Sequence, residues 1–190
     1  MFDATRNRIA ARMRRLMQGR LARRFVRQQD GAAAVEFALV AAPFLALTFA
    51  ILETAMVFFA GQTLEAATAD SARLIMTGQA QSAGFSASDF KTQVCARIYG
   101  LFDCANGITV NVQTYSSFSS ISSTPPIVNG QFSTTGMGYN PGTNPGDITV
   151  VQLYYQWPIY VSMLGGNLAN VSGGNRLLSA TAVFRVEPYK

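Results

Sequence analysis

The chain has 190 residues, 49% of them hydrophobic and 13% charged, and no histidine. Without histidine it lacks the commonest general base, a Ser-His pairing and the ordinary His-containing zinc sites, and two cysteines alone make no zinc site. The net charge of +5 is unevenly divided: residues 1–31 hold nine arginines against Asp3 and Asp30, whereas residues 32–190 hold six basic and eight acidic side chains.

Met1 to Gln29 has the pattern of an amphipathic helix, with Ile9, Met13, Leu16, Met17, Leu21 and Phe25 at spacings of three or four and arginine over the rest. Such a face suits anionic lipid. A nucleic-acid reading of the arginines lacks an accompanying series of stacking aromatics, so no nucleic-acid partner is expected. Arg23-Arg24-Phe25 hints at a twin-arginine signal, but the apolar core that follows is too long for one. Phe58-Phe59-Ala60 does not supply the small-x-small exit of a secretory signal.

From Phe37 to Leu52 sixteen residues carry no charge, and past Glu53 the apolar run reaches Ala60. That suffices to cross a bilayer, which takes ~20 residues. Glu36 and Glu53 are seventeen residues apart, about 26 Å along a helix, so each belongs near an interface. Glu53 marks the far edge of the hydrocarbon, either touching another membrane helix or simply solvated there. Arginines ahead of the run keep that side cytoplasmic, which predicts a single pass with the N-terminus in and the C-terminus out. Pro43 removes a backbone donor, so a kink is expected, although membrane helices also tolerate proline freely. Helical periodicity continues through Leu64, Ala67, Ser71, Leu74 and Ile75, predicting one helix over Ala32–Thr77, 46 residues and about 69 Å long.

After a linker over Gln79–Ala87, Ser86-Ala87-Ser88-Asp89 reads as a helix start. Phe90, Val94, Ile98 and Leu101 form a core-facing stripe to about Phe102. Cys95 and Cys104, outside the cytoplasm, either form a disulfide, adding about 2 to 3 kcal/mol, or remain reduced and half-buried. Strand signals follow at Ile108–Thr114, Ile148–Trp157 and Leu178–Val186. Between the first two, 23 of the 32 residues of 116–147 are Gly, Pro, Ser, Thr or Asn, predicting a flexible loop whose Phe118, Ile121, Phe132 and Tyr139 are candidate contact points. Gly165-Gly166-Asn167 and Gly173-Gly174-Asn175 are turn chemistry without the Lys-Ser/Thr of a phosphate loop. Tyr154, Tyr155, Trp157 and Tyr160 read mainly as packing rather than a carbohydrate platform.

The step from Asp30-Gly31 into Ala32-Ala33-Ala34-Val35-Glu36-Phe37 resembles a type IV prepilin peptidase site, and the wording Gly-Ala-Ala-Ala-Val-Glu-Phe-Ala-Leu-Val is similar to the TadE-like family, minor pseudopilins of tight-adherence (Flp) pilus systems. The resemblance is strongest over Asp30 to about Met76 and returns weakly at Ala182–Tyr189. It implies a cut between Gly31 and Ala32, with Glu36 and Phe37 as the fifth and sixth mature residues. It also implies that Glu36 pairs with the N-terminus of a neighbouring subunit during assembly. The alternative leaves Glu36 snorkelling among headgroups near Arg27.

The expected organisation is a basic cytoplasmic leader over 1–31, a transmembrane helix over 32–61 and an extracytoplasmic pilin-like domain over 62–190. The expected class is α+β, a long N-terminal helix with one short helix and a small antiparallel sheet of about three strands. The implied role is a minor pseudopilin of an adhesive pilus in the bacterial inner membrane, with a prepilin peptidase, other pilins and the lipid bilayer as partners and no cofactor or small-molecule substrate. An uncleaved single-pass protein presenting a periplasmic binding module is the alternative. An enzyme would need a Ser-Lys or paired-acid site, yet Lys91 and Lys190 are the only lysines, and Asp89, Asp103 and Asp147 are scattered.

Overall fold

The computed structural model describes residues 30–98, 100, 102–122, 124–161 and 168–189. The amphipathic helix expected over Met1–Gln29, Leu101 of the apolar stripe and the Gly165-Gly166-Asn167 turn lie outside the described residues. The chain divides into two compact units, residues 1–48 and 49–190.

Alanine and leucine dominate the segment after Gly31, and both favour helix. Helix α1 accordingly runs unbroken over Asp30–Met76, 47 residues with Pro43 inside it. By length and composition it can cross a membrane. Its large apolar side chains are exposed from Val35 through Phe37, Val40, Phe44, Leu47 and Phe49 to Met56, and again at Phe58 and Phe59. The hydroxyls in this stretch are satisfied within the helix: Thr48, Thr54 and Thr63 donate to the carbonyls of Phe44, Ala50 and Phe59 at 2.8, 2.8 and 2.9 Å. A helix in lipid needs that closure, because hydrocarbon offers no partner.

From Val57 onward α1 changes character. Val57, Ala60, Leu64, Ala67, Ala72 and Ile75 are buried at helical spacing and form one wall of the core of the second unit. Gly78, at φ +74°, ends the helix in the left-handed conformation that glycine adopts at little cost. A single turn, α2 (Gln79–Ser82), follows. Helix α3 (Ala87–Cys95) starts on a capping box in which Ser86 and Asp89 satisfy each other's backbone N–H groups. It buries Phe90 and Val94, with Ile98 just beyond. It ends seven residues short of Phe102: the Arg97 and Ile98 amides bond three residues back rather than four, and Gly100 turns the chain at φ +68°.

After the single turn α4 (Cys104–Gly107), strands β1 (Thr109–Tyr115), β4 (Ile148–Pro158) and β5 (Asn175–Arg185) form an antiparallel sheet in the order β1-β4-β5. Register places Val112 opposite Val151, itself opposite Ala182, and Val110 opposite Leu153, itself opposite Ala180. This face packs into the same core as α1 and α3. Strand β5 begins three residues earlier than its apolar pattern indicates, because Asn175 already pairs with Pro158. The fold is therefore α+β, as the sequence predicts.

The polar segment 116–147 is more structured than a flexible loop. It carries a 3-10 turn over Phe118–Ser120 and the two-residue strands β2 (Ile127–Val128) and β3 (Gln131–Phe132), paired with each other. Tyr139 bridges to the outer edge of β1, where the Val112 amide donates to Gly138 and the Asn140 amide donates to Val112, both at 2.8 Å. Ile127, Phe132 and Met137 pack with Tyr154, Val171 and Leu177 in a second apolar cluster. Short side chains leave the backbone free to bond, which composition alone does not reveal.

Candidate functional site

The first turn of α1 holds Gly31 and Ala32. A side chain added at Gly31 would meet nothing within 4 Å, and Gly31 is not among the residues of positive φ. Neither packing nor backbone geometry therefore requires glycine there. Within a helix it costs about 1 kcal/mol relative to alanine. Glu36 is exposed among Val35, Phe37 and Leu39, and among the described residues it makes no hydrogen bond or ion pair. Phe37 is 74% exposed.

The second acid of the apolar run is engaged. Glu53 accepts from the backbone N–H groups of Tyr160 and Val161 through one oxygen, and from Val161 again at 2.9 Å through the other. These amides belong to the chain just after β4, where Pro158 closes the ladder and Ile159 makes its bond to Gly174. Sequence reasoning allowed Glu53 solvation or a contact with another membrane helix. The partners it has are backbone groups more than 100 residues away, and no side-chain pattern announces those.

Cys95 and Cys104 form a disulfide with Cα atoms 5.6 Å apart, tying the end of α3 to the start of α4. Beside it Phe102 meets Tyr155 and Trp157 edge-on at 4.8 and 5.8 Å between ring centres. Tyr154 is buried on the opposite face against Phe132. Tyr160 alone of the four aromatics stands out, 81% exposed.

Three acids of the second unit, Asp89, Asp103 and Asp147, are occupied locally. Asp89 caps α3, and its hydrogen bonds from the Ser86 side chain and backbone hold its carboxyl below the ordinary value of 3.8. Asp103 accepts from the amide and side chain of Asn106, and Asp147 accepts from the amides of Thr143 and Asn144 at 3.1 and 3.0 Å. Burial pushes the Tyr139 phenol upward, with the Asp89 charge adding to it. A shallow depression beside Asp103 is lined by Asn106, Thr109, Phe132, Thr134 and Tyr155 and contains no second carboxylate. This arrangement provides turn and cap chemistry rather than a paired-acid site.

Two further residues were not legible beforehand. The Glu187 amide donates to the Met76 carbonyl at 2.8 Å, and the Tyr189 hydroxyl donates to Thr143 at 2.8 Å, so the tail closes over the end of α1. The only hint was the recurrence of family-like wording at Ala182–Tyr189.

No curated protein and no solved structure matches this chain. Residues 31–73, nearly all of α1, match the model of a family described as TadE-like protein, a family of pilus-related membrane proteins.

Proposed function

We propose that this chain is a membrane-anchored minor pseudopilin that takes part in assembling a tight-adherence (Flp type IVb) pilus. In this reading a prepilin peptidase cuts it between Gly31 and Ala32. The observation that carries the reading is a glycine at position 31 that the fold of the described residues does not use, placed at the head of a helix whose large apolar side chains are exposed from Val35 to Met56. A recognition role explains a residue for which packing gives no reason. The family match over residues 31–73 supports the same conclusion.

After cleavage, Ala32 supplies an ammonium one helical turn from Glu36, and the helix N-terminus adds partial positive charge. A charged carboxylate in hydrocarbon costs a few kcal/mol on insertion scales. Pairing with the new N-terminus of a neighbouring subunit offsets that cost and ties charge neutralisation to assembly. Pro43 gives α1 a place to bend as subunits pack. The basic leader stays cytoplasmic, and the domain over 62–190, which carries the disulfide, lies outside the inner membrane.

Mass spectrometry of the mature N-terminus tests this directly. Ala32 is the expected first residue. An intact Met1 in cells with an active prepilin peptidase would sink the processing step.

A further inference from the structure

Strand β4 ends at Pro158, which has no N–H to give, and the chain then turns. The next backbone donors, after the Ile159 bond to Gly174, are the amides of Tyr160 and Val161, and both point at the carboxylate of Glu53. Charge-assisted bonds from two backbone amides hold this segment firmly, because the donors are main-chain groups and only the Glu53 side chain has to be ordered. They also reduce the cost of a carboxylate beside hydrocarbon, since its oxygens are supplied with donors.

The surroundings of Glu53 on α1 are apolar and open. Ile51 and Leu52 are 61% and 54% exposed, and Phe58 and Phe59 beyond it are 70% and 59% exposed. Tyr160 is more exposed, at 81%, than any other large apolar side chain among the described residues. Tyrosine combines an apolar ring with a polar tip, which suits the layer between hydrocarbon and water. Glu53 therefore fixes the one protruding aromatic of the β4 end beside the apolar surface of α1 that a bilayer would cover.

We propose that Tyr160, held by Glu53, seats the second unit on the lipid headgroup layer where α1 leaves the membrane. This rests on the membrane-anchored reading above. The occupant is the bilayer rather than a protein because the Tyr160 backbone is tied through Glu53 to the stretch of α1 whose side chains Ile51, Leu52, Phe58 and Phe59 are exposed and apolar. The consequence is an orientation: the unit lies against the membrane at its β4 end instead of swinging freely.

The test uses the full chain in phosphatidylcholine–phosphatidylglycerol vesicles, in a Trp157→Phe background, with lipids carrying a nitroxide quencher either at the headgroup or in mid-chain. Single tryptophans are introduced by Tyr160→Trp, by Phe44→Trp in the apolar run, and by Thr181→Trp on the exposed side of β5. The indole of Tyr160→Trp should be quenched about two-fold more by headgroup label than by mid-chain label, as expected of an interfacial aromatic. Thr181→Trp should not be quenched, and Phe44→Trp should respond most to the mid-chain label. Adding Glu53→Ala should at least halve the headgroup quenching of Tyr160→Trp with unchanged circular dichroism, and Glu53→Gln, which keeps an acceptor, should restore it. Quenching of Tyr160→Trp no greater than that of Thr181→Trp overturns the proposal, whether iodide reaches the indole or a protein partner shields it. Quenching indifferent to Glu53→Ala overturns the role of Glu53. Failure of Phe44→Trp to respond to any lipid label instead overturns the membrane anchor itself, and the seating with it.

Discussion

The ring of Tyr189 occupies the space that a side chain on Gly78 would take. A Cβ at Gly78 would come within 2.2 Å of Tyr189 Cγ, and Gly78 has φ +74°. The left-handed turn that ends α1 thus doubles as the seat for the tail. Gly78→Ala meets both obstacles, whereas Gly84→Ala, at φ +66° with nothing within 4 Å, meets only the backbone one. The left-handed conformation alone costs about 1 to 2 kcal/mol for a residue with a Cβ. Denaturant titration of the detergent-solubilised chain should show Gly78→Ala losing clearly more stability than Gly84→Ala. Truncation by Tyr189→Ala should shrink the difference. Equal losses for the two glycines would mean that the tail does not bear on the turn.

The disulfide closes a short loop between the end of α3 and the start of α4, with a sequence separation of 9. For a loop of that size the chain-entropy model gives about 2 to 3 kcal/mol. Replacing both cysteines by serine should lower the unfolding free energy by that amount. A double variant as stable as the parent would show that α3 is held entirely by Phe90 and Val94.

Much of this fold was legible because it rests on periodicity. The long uncharged run became α1, the alternation of Val110 and Val112 became a strand with a core face, and Ser86 with Asp89 became a helix start. What the sequence did not show rests on the backbone. Glu53 finds main-chain amides, Glu187 caps Met76 through its own amide, and the edge of β1 is covered by main-chain bonds from residues 138–140. The apolar stripe through Phe90, Val94 and Ile98 looked like a longer helix because side-chain spacing persists for a turn after the hydrogen bonding has tightened. The candidate site divides in the same way. The resemblance at Gly31 and Glu36 reads in one dimension, while the contact of Tyr160 with Glu53 shows only in the fold.

Asp89 gives the second unit an acid-sensitive joint. The Ser86 hydroxyl and amide both donate to its carboxylate, at 2.6 and 2.9 Å, and favour the ionised form in the folded chain. Its folded pKa is therefore below the ordinary 3.8. The stabilisation is present above the unfolded value and is lost as pH falls through the lower folded one. Ser86→Ala removes the largest cause, so the Asp89 carboxyl should titrate closer to 3.8 in carbon-detected NMR, and acid unfolding should begin at higher pH. An unchanged Asp89 titration in that variant would show that the backbone amide alone sets it.

Glu36 and Glu53 bracket the same apolar run but should answer differently to loss of charge. Glu53 already has donors from Tyr160 and Val161, whereas Glu36 has none among the described residues. If the partner of Glu36 is the ammonium that cleavage creates on a neighbour, Glu36→Gln should leave insertion intact or improve it, since a neutral amide is cheaper in hydrocarbon than a carboxylate. Removal of the leader at Gly31 should also persist. Assembly should suffer: site-specific crosslinks from this chain to other pilus subunits and the number of pili per cell should fall, because the charge pair that selects a neighbour is gone. Glu36→Asp keeps the charge on a side chain one methylene shorter and should rescue only in part. Normal crosslinks and normal pilus number in cells carrying Glu36→Gln would remove the pairing role and leave Glu36 as a headgroup contact.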